Sequence, residues 1–166
     1  QVIGYVSTDY GNNSRRSRAD ILANVNNYLT KYPLTDGVTL IDGIFLDEMA
    51  ATNDRLPFYR DIYDDIKAVN PRLRVIGNPG TFPIAAYSAV ADDLVTFEGQ
   101  AVAYQSIDPQ PFNTWVYNKA NAAQVMLVHD ANCTAMQSAL QRADLARTNT
   151  GLVYATNLHF NFSTGT

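Results

Sequence analysis

A single cysteine, Cys133, stands among 166 residues. It excludes a disulfide within the chain and any thiolate-held metal cluster. Lysine and arginine are sparse, 12 against 16 aspartates and glutamates, for a formal net charge of -4. Binding a phosphate backbone needs a basic face, so nucleic acid is not expected as a partner. No apolar run approaches the roughly 20 residues of a bilayer span. Neither Gly-x-Gly-x-x-Gly nor a phosphate-binding loop is present to support nucleotide binding. There is no Gly-x-Ser-x-Gly elbow for a catalytic serine. His-x-His and His-Glu-x-x-His spacings are missing too, so neither a metal nor a cofactor is expected.

What remains is an ordinary globular composition, 46% hydrophobic and 17% charged, enough for one sizeable core. A single domain over residues 1–166, acting as a monomer, is expected. Aromatics are plentiful, with 10 tyrosines and 7 phenylalanines. Most serve packing, but Tyr5, Tyr10 and Tyr154 fall near strand ends, where a ring face and a hydroxyl suit a sugar. The triplets Asn12-Asn13-Ser14, Asn132-Cys133-Thr134 and Asn161-Phe162-Ser163 fit a secreted protein, with little weight in so Asn-rich a chain. Gln1-Val2-Ile3-Gly4-Tyr5-Val6 reads as a strand without lead-in, so upstream residues are expected to be missing.

Strand and helix patterns alternate along the chain. Strands are expected at Val2–Ser7, Thr39–Asp47, Leu73–Gly77, Leu94–Phe97, Gln124–Val128 and Gly151–Ala155. Between them, Ile21, Leu22, Val25, Tyr28, Leu29 and Tyr32 repeat at helical spacing over about Ser17–Lys31. Ser17-Arg18-Ala19-Asp20 resembles a capping box. A second helix spans about Leu56–Asn70, with Pro57 in its first turn and Asn70-Pro71 as its stop. Shorter helices are expected around Ile84–Val90 and Phe112–Lys119. A last one covers Thr134–Arg147, with Met136, Leu140 and Ala143 inward, and the tail from Leu158 reads as loop. Apolar strands alternating with helices imply a parallel sheet covered by helices.

Polar groups close nearly every strand: Asp9, Asp47 with Glu48, Asn78, Glu98, His129 with Asp130, and Asn157. A barrel draws its site from many strand ends, whereas a doubly wound sheet concentrates it at one crevice. The pattern therefore favours a (β/α)8 barrel with two units absent. Strand parity separates the acids. With Asp47 pointing inward, Phe45 and Gly43 do too, Ile44 and Leu46 face the helices, and Glu48 turns to the rim. The same count places Glu98, Thr96 and Leu94 inside. Two carboxylates in one mouth are the minimum equipment for glycoside cleavage, with one ionised and one holding a proton. Asp47 is assigned as nucleophile, Glu98 as acid/base and Glu48 as a tuning residue. Tyr5, Asp9, Tyr10, Asn78, His129 and Asn157 are assigned to a polysaccharide substrate. Two rivals stand beside this: helix-capping or ion-paired acids, and a metal held by Asp47, Glu48, Glu98 and His129.

Four ordered segments carry a resemblance: Val2-Ile3-Gly4-Tyr5-Val6-Ser7-Thr8-Asp9-Tyr10-Gly11, Asp42-Gly43-Ile44-Phe45-Leu46-Asp47-Glu48, Gly77-Asn78-Pro79-Gly80 and Phe97-Glu98. They resemble the spherulin-4-like family, glycoside hydrolase family 135, over nearly the whole chain. The resemblance implies a (β/α)8 barrel, secreted or surface-associated, whose first two strand-helix units are absent here. It implies hydrolysis of galactosaminogalactan, an α-1,4-linked polymer of galactose and N-acetylgalactosamine. The family's acidic residues map onto Asp47, Glu48 and Glu98. It also leaves open a non-catalytic wall or spore-coat protein that binds carbohydrate. Retention of all three acids favours the enzyme, since binding alone needs no acid pair.

Overall fold

The computed structural model describes residues 1–32, 40–120 and 123–160. Strands and helices alternate as β1 (Ile3–Ser7), α1 (Arg18–Lys31), β2 (Gly43–Asp47), α2 (Leu56–Val69), β3 (Arg74–Gly77) and β4 (Asp93–Gln100). There follow α3 (Ala101–Tyr104), β5 (Gln124–His129), α4 (Cys133–Ala143) and β6 (Leu152–Ala155). The sheet order is β1-β2-β3-β4-β5-β6, and β1 with β2, β2 with β3, β3 with β4 and β5 with β6 pair in parallel. Sequential order without a reversal is barrel winding, because a doubly wound sheet reverses at its switch point. The fold is α/β, with six of the eight strands of that architecture.

The chain packs as two compact units, Gln1–Pro79 with Ala86–Leu94, and Gly80–Ala85 with Val95–Thr166. In the first unit the parity read from sequence is observed. Val6, Ile44, Leu46 and Val75 are buried against Ile21 and Val25 of α1 and Ile62 and Ile66 of α2. Each aliphatic side chain so buried contributes about 1.5–3 kcal/mol. The capping box is complete: Asp20 N–H donates to Ser17 Oγ, and Ser17 N–H donates back to the Asp20 carboxylate. At Gly43 a Cβ would lie 2.4 Å from the Arg74 carbonyl oxygen, so only glycine lets β2 and β3 approach this closely.

A buried polar relay locks the start of α2 beneath the end of β2. Ala50 N–H donates to Tyr59 Oη at 2.8 Å, and Tyr59 lies 3.0 Å from Thr8 Oγ1. Thr8 Oγ1 sits 2.9 Å from both the Asp47 and Glu48 carbonyls, which only accept, so its proton points to them and Tyr59 donates. The turn after β2 is thus held from inside by a threonine of β1's end and a tyrosine of α2.

In the second unit Met126 and Val128 of β5 pack with Phe97, Ala101, Tyr104, Ala131 and Ala139. Several expected elements are corrected here. α4 begins at Cys133, because Asn132 caps it by accepting from Ala135 N–H at 2.9 Å, and it ends at Ala143 rather than Arg147. Met136 packs inward as expected, but Leu140 is 55% exposed and its inward place goes to Ala139, with Ala135 beside it. The helix expected around Phe112–Lys119 is a 3-10 turn, Thr114–Asn118, and that expected around Ile84–Val90 is another, Ala85–Ala89. α3 was not expected at all. Thr39 and the triplet starting at Asn161 lie outside the described residues.

Candidate functional site

In the first unit β1 and β2 pair with Tyr5 opposite Phe45 and Ser7 opposite Asp47. Since Val6, Ile44 and Leu46 turn to the helices, these four share the other sheet face. The Tyr5 and Phe45 rings stack with centroids 6.2 Å apart. Asp47 is gripped at both oxygens: Tyr5 O–H donates to Oδ2 at 2.7 Å, and Asn78 Nδ2 donates to Oδ1 at 2.8 Å. Asn78 is itself buried and fixed, its N–H donating to Leu46 O and its carbonyl accepting from Met49 N–H. Burial, the bond to Asp47 and the charges of Asp47 and Glu48 push the Tyr5 hydroxyl well above its usual pKa. It therefore stays a proton donor at any physiological pH.

Glu48 follows Asp47 with φ 53°, a left-handed conformation uncommon outside glycine. Its carbonyl is tied by Tyr10 N–H at 2.7 Å, and its carboxylate accepts from Ser7 O–H. The strained turn thus sends Glu48 back over β1, at the rim, rather than into solvent. Asp9 and Tyr10 also have positive φ, 46° and 54°. Asp9 lies 3.2 Å from Arg15 Nε, and the Tyr10 side chain is 61% exposed.

In the second unit Glu98 lines a cavity of about 330 Å³ together with His129, Tyr154, Thr156, His159 and Phe160. The Glu98 N–H donates to Gly80 O at 3.0 Å. His129 is buried, and its Nδ1 lies 2.9 Å from Asp130 Oδ2. His159 Nδ1 meets the same carboxylate at 2.9 and 3.0 Å. The bond from His159, opposed by desolvation and aided by His129, holds the Asp130 carboxyl below its usual pKa range. Asn157, expected at the site, is exposed and outside the cavity lining.

The structure therefore brings Tyr5, Asp47, Glu48 and Asn78 together in one unit, and Glu98 with His129 in the other. Tyr10 meets the first group through its backbone N–H on the Glu48 carbonyl, Asp9 pairs with Arg15, and Asn157 is exposed. Sequence reasoning passed over Ser7 and His159. Ser7 carried a signal, for it sits two residues beyond Tyr5 and so on the same face. His159 carried none, being 29 residues from its partner Asp130.

Parallel strands wound in sequence, with carboxylates at their C-terminal ends, define a barrel-type α/β protein. Within that class the chain belongs to Spherulation-specific family 4 (Spherulin4), whose pattern matches residues 1–165. It is similar to spherulin-4 of Physarum polycephalum, 36% identical over 97 residues, covering 58% of this chain and 26% of that protein. The crystal structure of Aspergillus clavatus Sph3 in complex with GalNAc matches with a TM-score of 0.65 and 21% identity. That alignment covers 98% of this chain and 66% of Sph3. The chain thus spans less than two thirds of the length of either relative.

Proposed function

We infer that this chain belongs to a secreted, endo-acting glycoside hydrolase that cleaves an amino-sugar polysaccharide of the galactosaminogalactan type. The observation that carries the reading is the Asp47 carboxylate, gripped at both oxygens by Tyr5 and Asn78 at a strand's C-terminal end. A carboxylate held so rigidly has the fixed geometry that attack on, or stabilisation of, an anomeric carbon requires. The stacked rings of Tyr5 and Phe45 beside it offer the apolar face on which a pyranose lies. Sph3, similar in fold, has been crystallised with GalNAc, which supports an amino-sugar substrate. Among the described residues, no helix is long and apolar enough to cross a membrane, which is compatible with secretion.

In this reading Asp47 acts on the anomeric carbon, Glu98 exchanges the proton with the leaving oxygen, and Glu48, steered by Ser7, tunes the neighbouring acid. Retention at the anomeric carbon would make Asp47 a nucleophile; inversion would make it the base for a water. The test is to incubate purified full-length protein with acetylated and deacetylated galactosaminogalactan and count new reducing ends. Release from either polymer upholds the hydrolase. Tight binding without release replaces it with a non-catalytic wall protein.

Tyr5 is a positioning residue in this scheme. Tyr5→Phe keeps the stacked ring and removes one donor to Asp47, so kcat should fall about 10²-fold, as when one preorganised donor is lost. KM should change by less than about threefold, because the ring face remains. Equal losses in binding and turnover would instead make Tyr5 a simple sugar contact.

A further inference from the structure

One side-chain group is not needed by the chemistry above. His129 ends β5, Asp130 follows it, and His159 comes after β6. Their candidate ligand atoms all lie within 4.8 Å of one another. Both imidazoles turn Nδ1 toward the Asp130 carboxylate, at 2.9 Å from His129 and at 2.9 and 3.0 Å from His159. Around a tetrahedral ion with bonds of about 2.0–2.2 Å, nitrogen and oxygen ligands stand roughly 3.3 Å apart. Each imidazole–carboxylate spacing is therefore within a few tenths of an ångström of that value, and the remaining separation within the trio does not exceed 4.8 Å.

The backbone holds these residues together before any ion arrives. Asp130 N–H donates to Leu158 O at 3.0 Å and Ala131 N–H to Thr156 O at 2.9 Å, tying the segment that carries His159 to the end of β5. Asp130 itself adopts φ 54°, a left-handed conformation that costs energy and turns its carboxylate between the two rings. Side-chain exposure rises from 8% at His129 through 29% at Asp130 to 64% at His159, so the group has a sheltered floor and an open entrance.

We propose that His129, Asp130 and His159 bind a divalent transition-metal ion, with Zn²⁺ the leading choice. Two imidazoles and one carboxylate suit zinc, cobalt or nickel; magnesium and calcium prefer all-oxygen shells. In the metal-free protein each Nδ1–H donates to the ionised carboxylate. Binding requires both rings to present the Nδ1 lone pair, so the proton of each neutral ring moves to Nε2, and any imidazolium releases one proton. Three protein ligands leave a fourth position for water or an incoming hydroxyl, the pattern of an open rather than a closed zinc site. His129 and His159 both line the 330 Å³ cavity, so that position has room for a ligand. His159 lies 29 residues beyond Asp130, which is why no metal-binding spacing announced the trio.

The proposal does not depend on the glycosidase reading, and its test needs no substrate. Zinc chloride is titrated calorimetrically into the full-length wild type, His159→Ala and Asp130→Asn, with cobalt absorption as a second readout. Wild type should bind one ion per chain with a tetrahedral cobalt spectrum. His159→Ala should weaken affinity by more than about a hundredfold, beyond the 10–100-fold expected from a merely supporting group. Asp130→Asn, which keeps the shape of the side chain, should weaken it in the same way. Metal-free thermal unfolding of each variant shows whether its fold is intact, and either intact variant suffices for the comparison. No binding by wild type, or equal affinity in wild type and an intact variant, overturns the proposal and leaves the trio as a hydrogen-bonded tie for the chain after β6.

Discussion

Asp47→Asn should lower turnover on the polymer by about 10³–10⁴-fold, and Glu98→Gln by about 10²–10⁴-fold. The first loss is larger because an amide can neither form nor stabilise the bond at the anomeric carbon. Asp47→Asn should nevertheless fold as wild type does. The new carbonyl oxygen can still accept from Asn78 Nδ2, and the new amide can donate to the Tyr5 hydroxyl, which rotates to accept. Substrate binding should survive, since the Tyr5 and Phe45 rings are untouched. Steady-state kinetics alongside polymer binding by both variants checks this. Full turnover in Asp47→Asn would remove Asp47 from the chemistry and reduce its clamp to a structural hydrogen bond.

The largest stability effect is expected at the start of β3. Arg74 makes a two-point bond to Asp93, with Nη2 donating to Oδ1 at 2.6 Å and Nε to Oδ2. The Asp93 side chain is 0% exposed and that of Arg74 39%. Arg74→Ala strands a fully buried carboxylate, which costs about 3–5 kcal/mol when nothing replaces the partner. Partial exposure of the guanidinium lets water soften that loss, so a value near the lower end is expected. Against a total stability of about 5–15 kcal/mol, that is a large share. Removing the acid as well, in Arg74→Ala with Asp93→Ala, should recover part of the loss in a urea-unfolding cycle. A single-variant cost below about 1 kcal/mol would place the pair among ordinary surface bridges.

Much of this arrangement was legible because the relevant periodicities are local. Gly43-Ile44-Phe45-Leu46-Asp47 alternates residue by residue, so parity alone put Asp47 on the face opposite Ile44 and Leu46. The capping box at Ser17 and Asp20 and the apolar stripes of α1 and α2 were equally plain. Where competing signals met, reading failed. The fourth strand is expected to end at Phe97, yet β4 continues through Glu98, Gly99 and Gln100. Leu140 fits a helical stripe, but the smaller Ala139 takes the inward place in α4. In the site, Tyr5 and Asn78 could be proposed from strand ends, whereas the turn that leads Asp9 to Arg15 depends on left-handed backbone at Asp9 and Tyr10. His159 meets Asp130 only through the folded path of β6, and no pattern in sequence encodes that meeting.

The most direct measurement is mass spectrometry of galactosaminogalactan after incubation with purified full-length wild type, beside the same incubation with Asp47→Asn. The account predicts short oligosaccharides that accumulate with wild type and are nearly absent with the variant. Oligosaccharides from neither protein, or from both at equal rates, would contradict it.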